Sequence, residues 1–194
     1  QDTEEIVARL FSPVQRMRDL VEDLLTLTRL ESSPRPSIYD LNDVNVASII
    51  HTISSEIEEL EGFDHDMEMS IDERTRALGI PDEIYSAINN LITNAVRYTP
   101  AGGRISIRWR KHGNACLFEV TDTGPGIANE HLQHLTERFY RVDTPRIAKS
   151  GGTGLGLAIV KHILLRHEST LRINSILGEG STFGFTLPSS KRAI

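Results

Sequence analysis

Apolar residues in this chain keep two rhythms. Three- and four-residue steps in some stretches predict helices, and strict alternation in others predicts strands. The clearest helical rhythm is PDEIYSAINNLITNAVRYTP, residues 81–100, where Ile84, Ala87, Ile88, Leu91 and Ala95 form one apolar face. Pro81 suits a first helical turn, and Asp82 and Glu83 set negative charge at the positive N-terminal end. A second helix is expected from about Thr3 to Glu31. Val14, Met17, Val21, Leu24 and Thr28 make a heptad-like seam in it, widened by Leu20, Leu27 and Leu30. So broad a face needs cover, from its own domain or, as the favoured reading, from a partner helix or second chain. Pro13 is expected to kink this helix or to set its start. Ser32–Ser37, SSPRPS, then breaks the helix and reads as a linker.

Beyond the linker, Ile38–Val44 reads as an edge strand or extended lead-in. Val46–Leu60 reads as a helix with Ile49, Ile50, Ile53, Ile57 and Leu60 inward. Met67, Met69 and Ile71 alternate on a strand, and Arg76–Ile80 is a short strand leading into the helix at Pro81. Ile105, Ile107 and Trp109, then Cys116, Phe118 and Val120, alternate on a hairpin with one wet face. A short helix near Asn129–Glu137 precedes Arg138–Gly151, which lacks apolar periodicity and is expected to be a mobile loop. Gly152–His167 starts glycine-rich and becomes a helix. Leu171 and Ile173, then Phe183, Phe185 and Leu187, mark two closing strands around Gly178-Glu179-Gly180. Such elements predict an α+β sandwich with helices on one face of a largely antiparallel sheet.

Composition narrows the function. The 194 residues carry a net charge of −6, which argues against a nucleic-acid surface. No apolar run approaches the roughly 18 residues needed to span a bilayer. The single cysteine, Cys116, excludes an internal disulfide and a cysteine zinc cluster, and its place on a strand suits a buried small hydrophobe. A cytosolic compartment fits. The chain starts at Gln1 rather than Met, as a piece of something longer would.

Three polar features stand out against this frame. Asn90, Asn94 and either Arg97 or Tyr98 can share one helix face, a set that suits a polyphosphate, its metal and an aromatic base, or else a solvated surface. Asp122-Thr123-Gly124-Pro125-Gly126-Ile127 follows a strand directly. A carboxylate at the mouth of such a turn only accepts hydrogen bonds, so Asp122 can take the exocyclic amine of adenine and would repel the guanine carbonyl. Gly152-Thr153-Gly154-Leu155-Gly156-Leu157 opens a helix whose free N–H groups can hold phosphate, although its spacing is not the dinucleotide fingerprint and a packing turn is the plainer reading. Between the two glycine turns lie Arg138, Phe139, Tyr140, Arg141, Arg146 and Lys149, a basic stretch that suits a lid. For Arg146 and Lys149 a solvated loop is the better reading. His131 and His134 read as a solvated helix face rather than a metal pair.

The order is more specific than any single feature: the asparagine helix, DTGPGI, RFYR, a gap, GGTGLGL, then GEGSTF. Over about residues 41–187 the chain resembles the catalytic, ATP-binding domain of sensor histidine kinases, and LTERFYRVD and GLGLAIVKH are most similar to its phosphate-regulon branch. The resemblance implies a two-layer α/β sandwich of the histidine-kinase, Hsp90 and gyrase ATPase type that holds ATP and Mg²⁺ under a lid. It implies that Asn94 binds Mg²⁺, with Asn90 assisting, and that Arg97 faces phosphate while Tyr98 packs on adenine. Asp122 reads the base, Gly124, Gly126 and Ile127 shape the pocket, and Thr182 supplies a hydroxyl near the adenine. Tyr140 and Arg141 belong to the lid edge, Arg141 reaching the γ-phosphate. Gly152, Thr153, Gly154, Leu155, Gly156 and Leu157 form the phosphate-side turn. Asn90, Arg97 and Arg141 are the positions expected to act on the reacting phosphates.

The resemblance also implies an organisation: residues 1–31 as the second helix of a dimerisation hairpin, 32–37 as linker, and 38–190 as the ATP-binding domain. The family's H-E-x-x-x-P-like phosphoacceptor box is not found, and no histidine precedes His51. The implied reaction is γ-phosphate transfer to a histidine on a helix outside this chain, for relay to a response-regulator receiver domain. The implied setting is the cytoplasmic portion of an inner-membrane sensor that dimerises when its hairpin is complete. Gyrase- and Hsp90-like relatives carry a glutamate four residues before the metal asparagine, where it activates water; Asn90 cannot act so. A nucleotide-sensing module without transfer and a hydrolytic clamp are the competing readings.

Overall fold

Pro81 occupies the first turn of the central helix and its missing N–H costs nothing there, while Asp82 and Glu83 face the positive end. The computed structural model describes residues 2–60, 62–142 and 152–190, with side chains from Pro13 onward. In chain order the elements are α1 (Asp2–Ser32), β1 (Asn42–Val44), α2 (Val46–Glu58), β2 (Asp66–Ile71), β3 (Ala77–Gly79) and α3 (Pro81–Tyr98). There follow β4 (Arg104–His112), β5 (Ala115–Asp122), α4 (Asn129–Leu132), α5 (Gly156–Arg166), β6 (Arg172–Ile176) and β7 (Gly180–Pro188). The main sheet has five strands in the order β2-β4-β5-β7-β6, antiparallel except for the β2–β4 pair, and β1 pairs with β3 in a small second sheet.

Alternation along the strands makes one sheet face apolar. Trp109, Phe118 and Phe185 stand opposite one another in register and are fully buried; the two phenylalanine rings lie 5.2 Å apart. Ile107, Val120, Phe183 and Ile173 form the next row. Against this face pack Ile84, Ala87, Ile88, Leu91, Ile92 and Ala95 of α3, Ile50, Ile53 and Ile57 of α2, and Ile159, Val160 and Ile163 of α5. The expected α/β sandwich with helices on one sheet face is what forms.

α1 divides along its length. Leu27 and Leu30 are buried in the domain core, whereas Val14, Met17 and Val21 of the heptad seam are exposed. Arg166 fastens the end of α1 from below. Its guanidinium pairs with Glu83 at 2.9 Å and donates to the carbonyls of Ser33 at 3.0 Å and Pro34 at 2.6 Å. His167 is buried between α5 and α3. Its Nδ1 donates to the Ile163 carbonyl at 2.8 Å and its Nε2 accepts the Ile80 N–H at 3.0 Å, so the neutral ring is held in one tautomer.

Some expectations shift. Pro13 lies inside α1, which starts well before it. α2 ends at Glu58, so Leu60 falls beyond it and is exposed. α4 stops at Leu132, and α5 starts at Gly156, after a turn in which Gly154 takes a positive φ of 74°. Arg146, Lys149 and most of the expected loop at 138–151 lie outside the described residues.

Candidate functional site

Sheet and helices part at one end to leave a cavity of about 370 Å³, a size ordinary for a small-molecule site. α3 brings Asn90, Asn94, Arg97 and Tyr98 to it together, because four-residue spacing stacks side chains on one helical face. The end of β5 contributes Asp122, the turn after it Gly126 and Ile127, and the segment after α4 Tyr140 and Arg141. The turn into α5 contributes Gly152, Thr153, Gly154, Gly156 and Leu157.

Asp122 ends β5 with its carboxylate buried. Burial pushes its carboxyl above the ordinary aspartate value, and the backbone N–H groups of Gly124 and Ser181 oppose that rise. The Gly124 N–H donates to Oδ1 at 2.8 Å. A buried, ionised aspartate facing a cavity can accept a further N–H from a ligand and donate nothing.

The opposite end of the cavity is built for charge. Gly152 stands against the Arg97 guanidinium, and a Cβ there would meet Nη1 at 2.8 Å. A Cβ at Gly156 would meet Asn90 Oδ1 at 2.5 Å, so the bare backbone leaves the space that a side chain would fill. Asn90 Nδ2 donates to the Ser86 carbonyl at 2.9 Å, which fixes the carboxamide and turns Oδ1 toward the start of α5. Arg141 Nη1 donates to the Gly152 carbonyl at 2.9 Å and so links the segment after α4 to the glycine turn.

Three expected residues fall elsewhere. Thr182 lies on the far face of the sheet, its hydroxyl 2.9 Å from that of Thr121. The strand alternates, so its neighbour Ser181 faces the cavity beside Asp122 instead. Leu155 is wholly buried in the core, and Gly124 does not line the cavity, acting through its N–H on Asp122. His131 and His134 remain partly exposed but also contact Tyr140: His131 Nδ1 lies 2.7 Å from its hydroxyl and the His134 ring packs 5.4 Å from its ring. Together they brace a cavity-lining side chain. Among the described residues no group of three or more His, Cys, Asp or Glu side chains could hold a metal ion.

The motif reading missed the contribution of α1. Asp19, Glu22 and Asp23 line the same cavity, and Asp23 Oδ2 accepts the Thr153 hydroxyl proton at 2.6 Å. Glu31, one end of the same helix, pairs with Arg138 and lies 3.2 Å from His162 Nε2. Burial pushes the Asp23 carboxyl above its ordinary value, the Thr153 bond opposes this, and the Asp19 charge adds to the rise.

The sequence model of the histidine kinase-, DNA gyrase B- and HSP90-like ATPases matches residues 79–191, from β3 through the last strand. The chain belongs to that ATPase family. The resemblance carried by its motif order is borne out. The phosphate regulon sensor protein PhoR of Pseudomonas aeruginosa is 44% identical to this ATPase over 169 residues, which take in 87% of this chain and 38% of PhoR. The chain therefore spans well under half the length of the curated relatives it matches. Among solved structures, the mycobacterial sensor histidine kinase MprB matches with a TM-score of 0.67 at 26% identity, over 77% of this chain and 97% of that one. Full-length ShkA in complex with AMPPNP shares the fold over 100% of this chain and 40% of its own, with a TM-score of 0.81 at 22% identity.

The ATPases of this family bind a nucleotide, and this cavity is the candidate for that site. Its residues fit that ligand: a buried acceptor at one end, a guanidinium and glycine backbone at the other. They also fit a hard cation, since the Asn90 and Asn94 carboxamides supply neutral oxygens of the kind that complete a hydrated Mg²⁺.

Proposed function

We propose that this chain is the catalytic part of a sensor histidine kinase in phosphate-starvation signalling. It transfers the γ-phosphate of Mg-ATP to a histidine on a dimerisation helix, for relay to a response-regulator receiver domain. The observation that carries transfer over hydrolysis is Asn90. It stands four residues before Asn94 on the wall of the cleft, and a carboxamide takes no proton from water. The similarity to PhoR supports the signalling context.

In this reading Asp122 accepts the adenine amine while Tyr98 and Ile127 flank the base. Arg97, the N–H groups of the glycine turn and Arg141 carry the phosphates, and Asn94 with Asn90 holds the cation. Mg²⁺, if held there by Asn94 and Asn90, would offset the charge of the phosphates. The chain's own part is positioning and charge neutralisation, and the nucleophile arrives on another helix. α1 is proposed as the second helix of the dimerisation hairpin, residues 32–37 as the linker, and the exposed Val14, Met17 and Val21 as the seam that meets its partner in a homodimer. The whole protein is proposed as an inner-membrane sensor with this portion in the cytoplasm. Within the described residues no helix is long and apolar enough to cross a membrane.

The deciding experiment supplies the acceptor hairpin in trans with Mg-ATP. Acid-labile, base-stable phosphate on its histidine is the expected result. Steady ATP turnover with no labelled histidine would favour a hydrolytic clamp. Asn94→Ala is expected to remove the Mg²⁺ dependence of ATP affinity in calorimetry; a variant whose affinity still rises with Mg²⁺ as the parent's does would remove Asn94 from the metal site.

A further inference from the structure

On the inner face of the sheet the rows of Trp109 and Ile107 are apolar, and the next row reads Ile105, Asp122, Ser181 and Ser175 across β4, β5, β7 and β6. Asp122 and Ser181 line the nucleotide cavity. Ser175 stands behind them, outside the cavity, and none of the site residues inferred from the sequence includes it.

Its hydroxyl has three neighbours. Ser175 Oγ lies 2.8 Å from the Ile127 nitrogen, 3.0 Å from the Gly180 carbonyl oxygen and 2.9 Å from Ser181 Oγ. A hydroxyl has one proton and two acceptor sites. A carbonyl accepts only, so Ser175 donates to Gly180. The Ile127 N–H donates only, so Ser175 accepts from it, and its remaining lone pair takes the Ser181 proton. All three sites are thereby filled, and the Ser181 hydroxyl is left with its own lone pairs directed elsewhere. The Ile127 bond joins residues 48 apart in sequence and ties the loop that follows Asp122 to the edge strand β6. The Gly178 N–H adds a second tie, donating to the Pro125 carbonyl at 2.7 Å.

We propose that Ser175 is a positioning residue for purine recognition. By holding the Ile127 N–H and orienting the Ser181 hydroxyl, it fixes the spacing between the two cavity walls that meet the base edge at Asp122. It touches no ligand itself. This role rests on reading the cavity as an adenine-nucleotide site.

Ser175→Ala removes one acceptor and leaves the Ile127 N–H without its partner, while the β6–β7 ladder, built from backbone bonds, is untouched. Ser175→Thr keeps the hydroxyl on a residue suited to a strand. Both are made in the full chain and compared by calorimetry with ATP and with GTP, by thermal unfolding, and by hydrogen exchange at the Ile127 amide. The alanine variant is expected to bind ATP about tenfold more weakly, to lose most of its preference for ATP over GTP, and to exchange the Ile127 amide faster. The threonine variant is expected to restore all three. An alanine variant with parental ATP affinity and parental ATP-to-GTP preference overturns the role, whatever its melting temperature. So does an Ile127 amide that exchanges at the parental rate. A parent chain that binds no adenine nucleotide overturns the nucleotide reading itself, which separates that failure from a failure of Ser175 alone.

Discussion

Asp122→Asn is expected to weaken ATP binding tenfold or more and to leave the fold intact. The parent carboxylate is buried, with one oxygen taken by the Gly124 N–H, and in the proposed function the adenine amine is the further donor it accepts. A hydrogen bond to a charged group contributes about 1.5–3 kcal/mol, and about 1.4 kcal/mol is tenfold in affinity. The asparagine amide presents a donor where an acceptor is needed. The fold does not suffer, because burial has raised the carboxyl above its ordinary value and ionised Asp122 is a cost to the folded state at neutral pH. That cost is present above the folded value and is relieved as pH falls through it, so acidification relaxes the strain on the fold even as it removes the acceptor. Parental ATP affinity is therefore expected to fall on acidification at a pH higher than an ordinary aspartate would set. The ratio of parent to variant affinity should shrink over the same interval. Calorimetric titrations of both proteins across the acidic range check this, and a variant with parental affinity at neutral pH would remove Asp122 from base recognition.

The helix at Pro81 and the hairpin after it were legible because each obeys a single period over many residues, and a period places a face without knowledge of anything distant. Asn90, Asn94, Arg97 and Tyr98 reached the cavity for that reason. Thr182 shows where motif matching and physics part. The alternation of Phe183, Phe185 and Leu187 puts every odd-numbered residue of β7 on the inner face, so Ser181 was the member of GEGSTF to choose. The same alternation, carried across the register to β6, leads to Ser175. Asp19, Glu22 and Asp23 were out of reach of any local rule. They line the cavity because Leu27 and Leu30 dock the end of α1 on the core, a contact between segments more than a hundred residues apart in sequence, as the Asp23–Thr153 bond illustrates. The braces on Tyr140 from His131 and His134 were missed for a related reason. The four-residue helix α4 gives too short a window for a period to reveal which side faces inward.

Gly180→Ala is expected to damage both fold and site, and Gly178→Ala in the same turn is its control. Both glycines have positive φ, +86° at Gly178 and +133° at Gly180. At Gly178 nothing stands within 4 Å of where a Cβ would be, so alanine meets only left-handed backbone strain, about 1–2 kcal/mol. At Gly180 the backbone lies in a region that is essentially for glycine alone, and a Cβ would overlap the Asp122 carbonyl oxygen. The obstacle is β5 backbone, held in the centre of the sheet, and it cannot swing aside as a side-chain tip would. The cost should reach about 3 kcal/mol or more, since strain and overlap add. For a chain of this size about 1 kcal/mol moves the melting temperature by about 2–4 °C, so the control should lose a few degrees and Gly180→Ala about ten. The two variants should also differ below their melting temperatures. The overlap at Gly180 displaces the peptide of Asp122 itself, so ATP affinity measured in the cold should drop for Gly180→Ala and stay parental for Gly178→Ala. Equal affinity losses in the two would mean that the turn as a whole, rather than its contact with Asp122, shapes the base pocket.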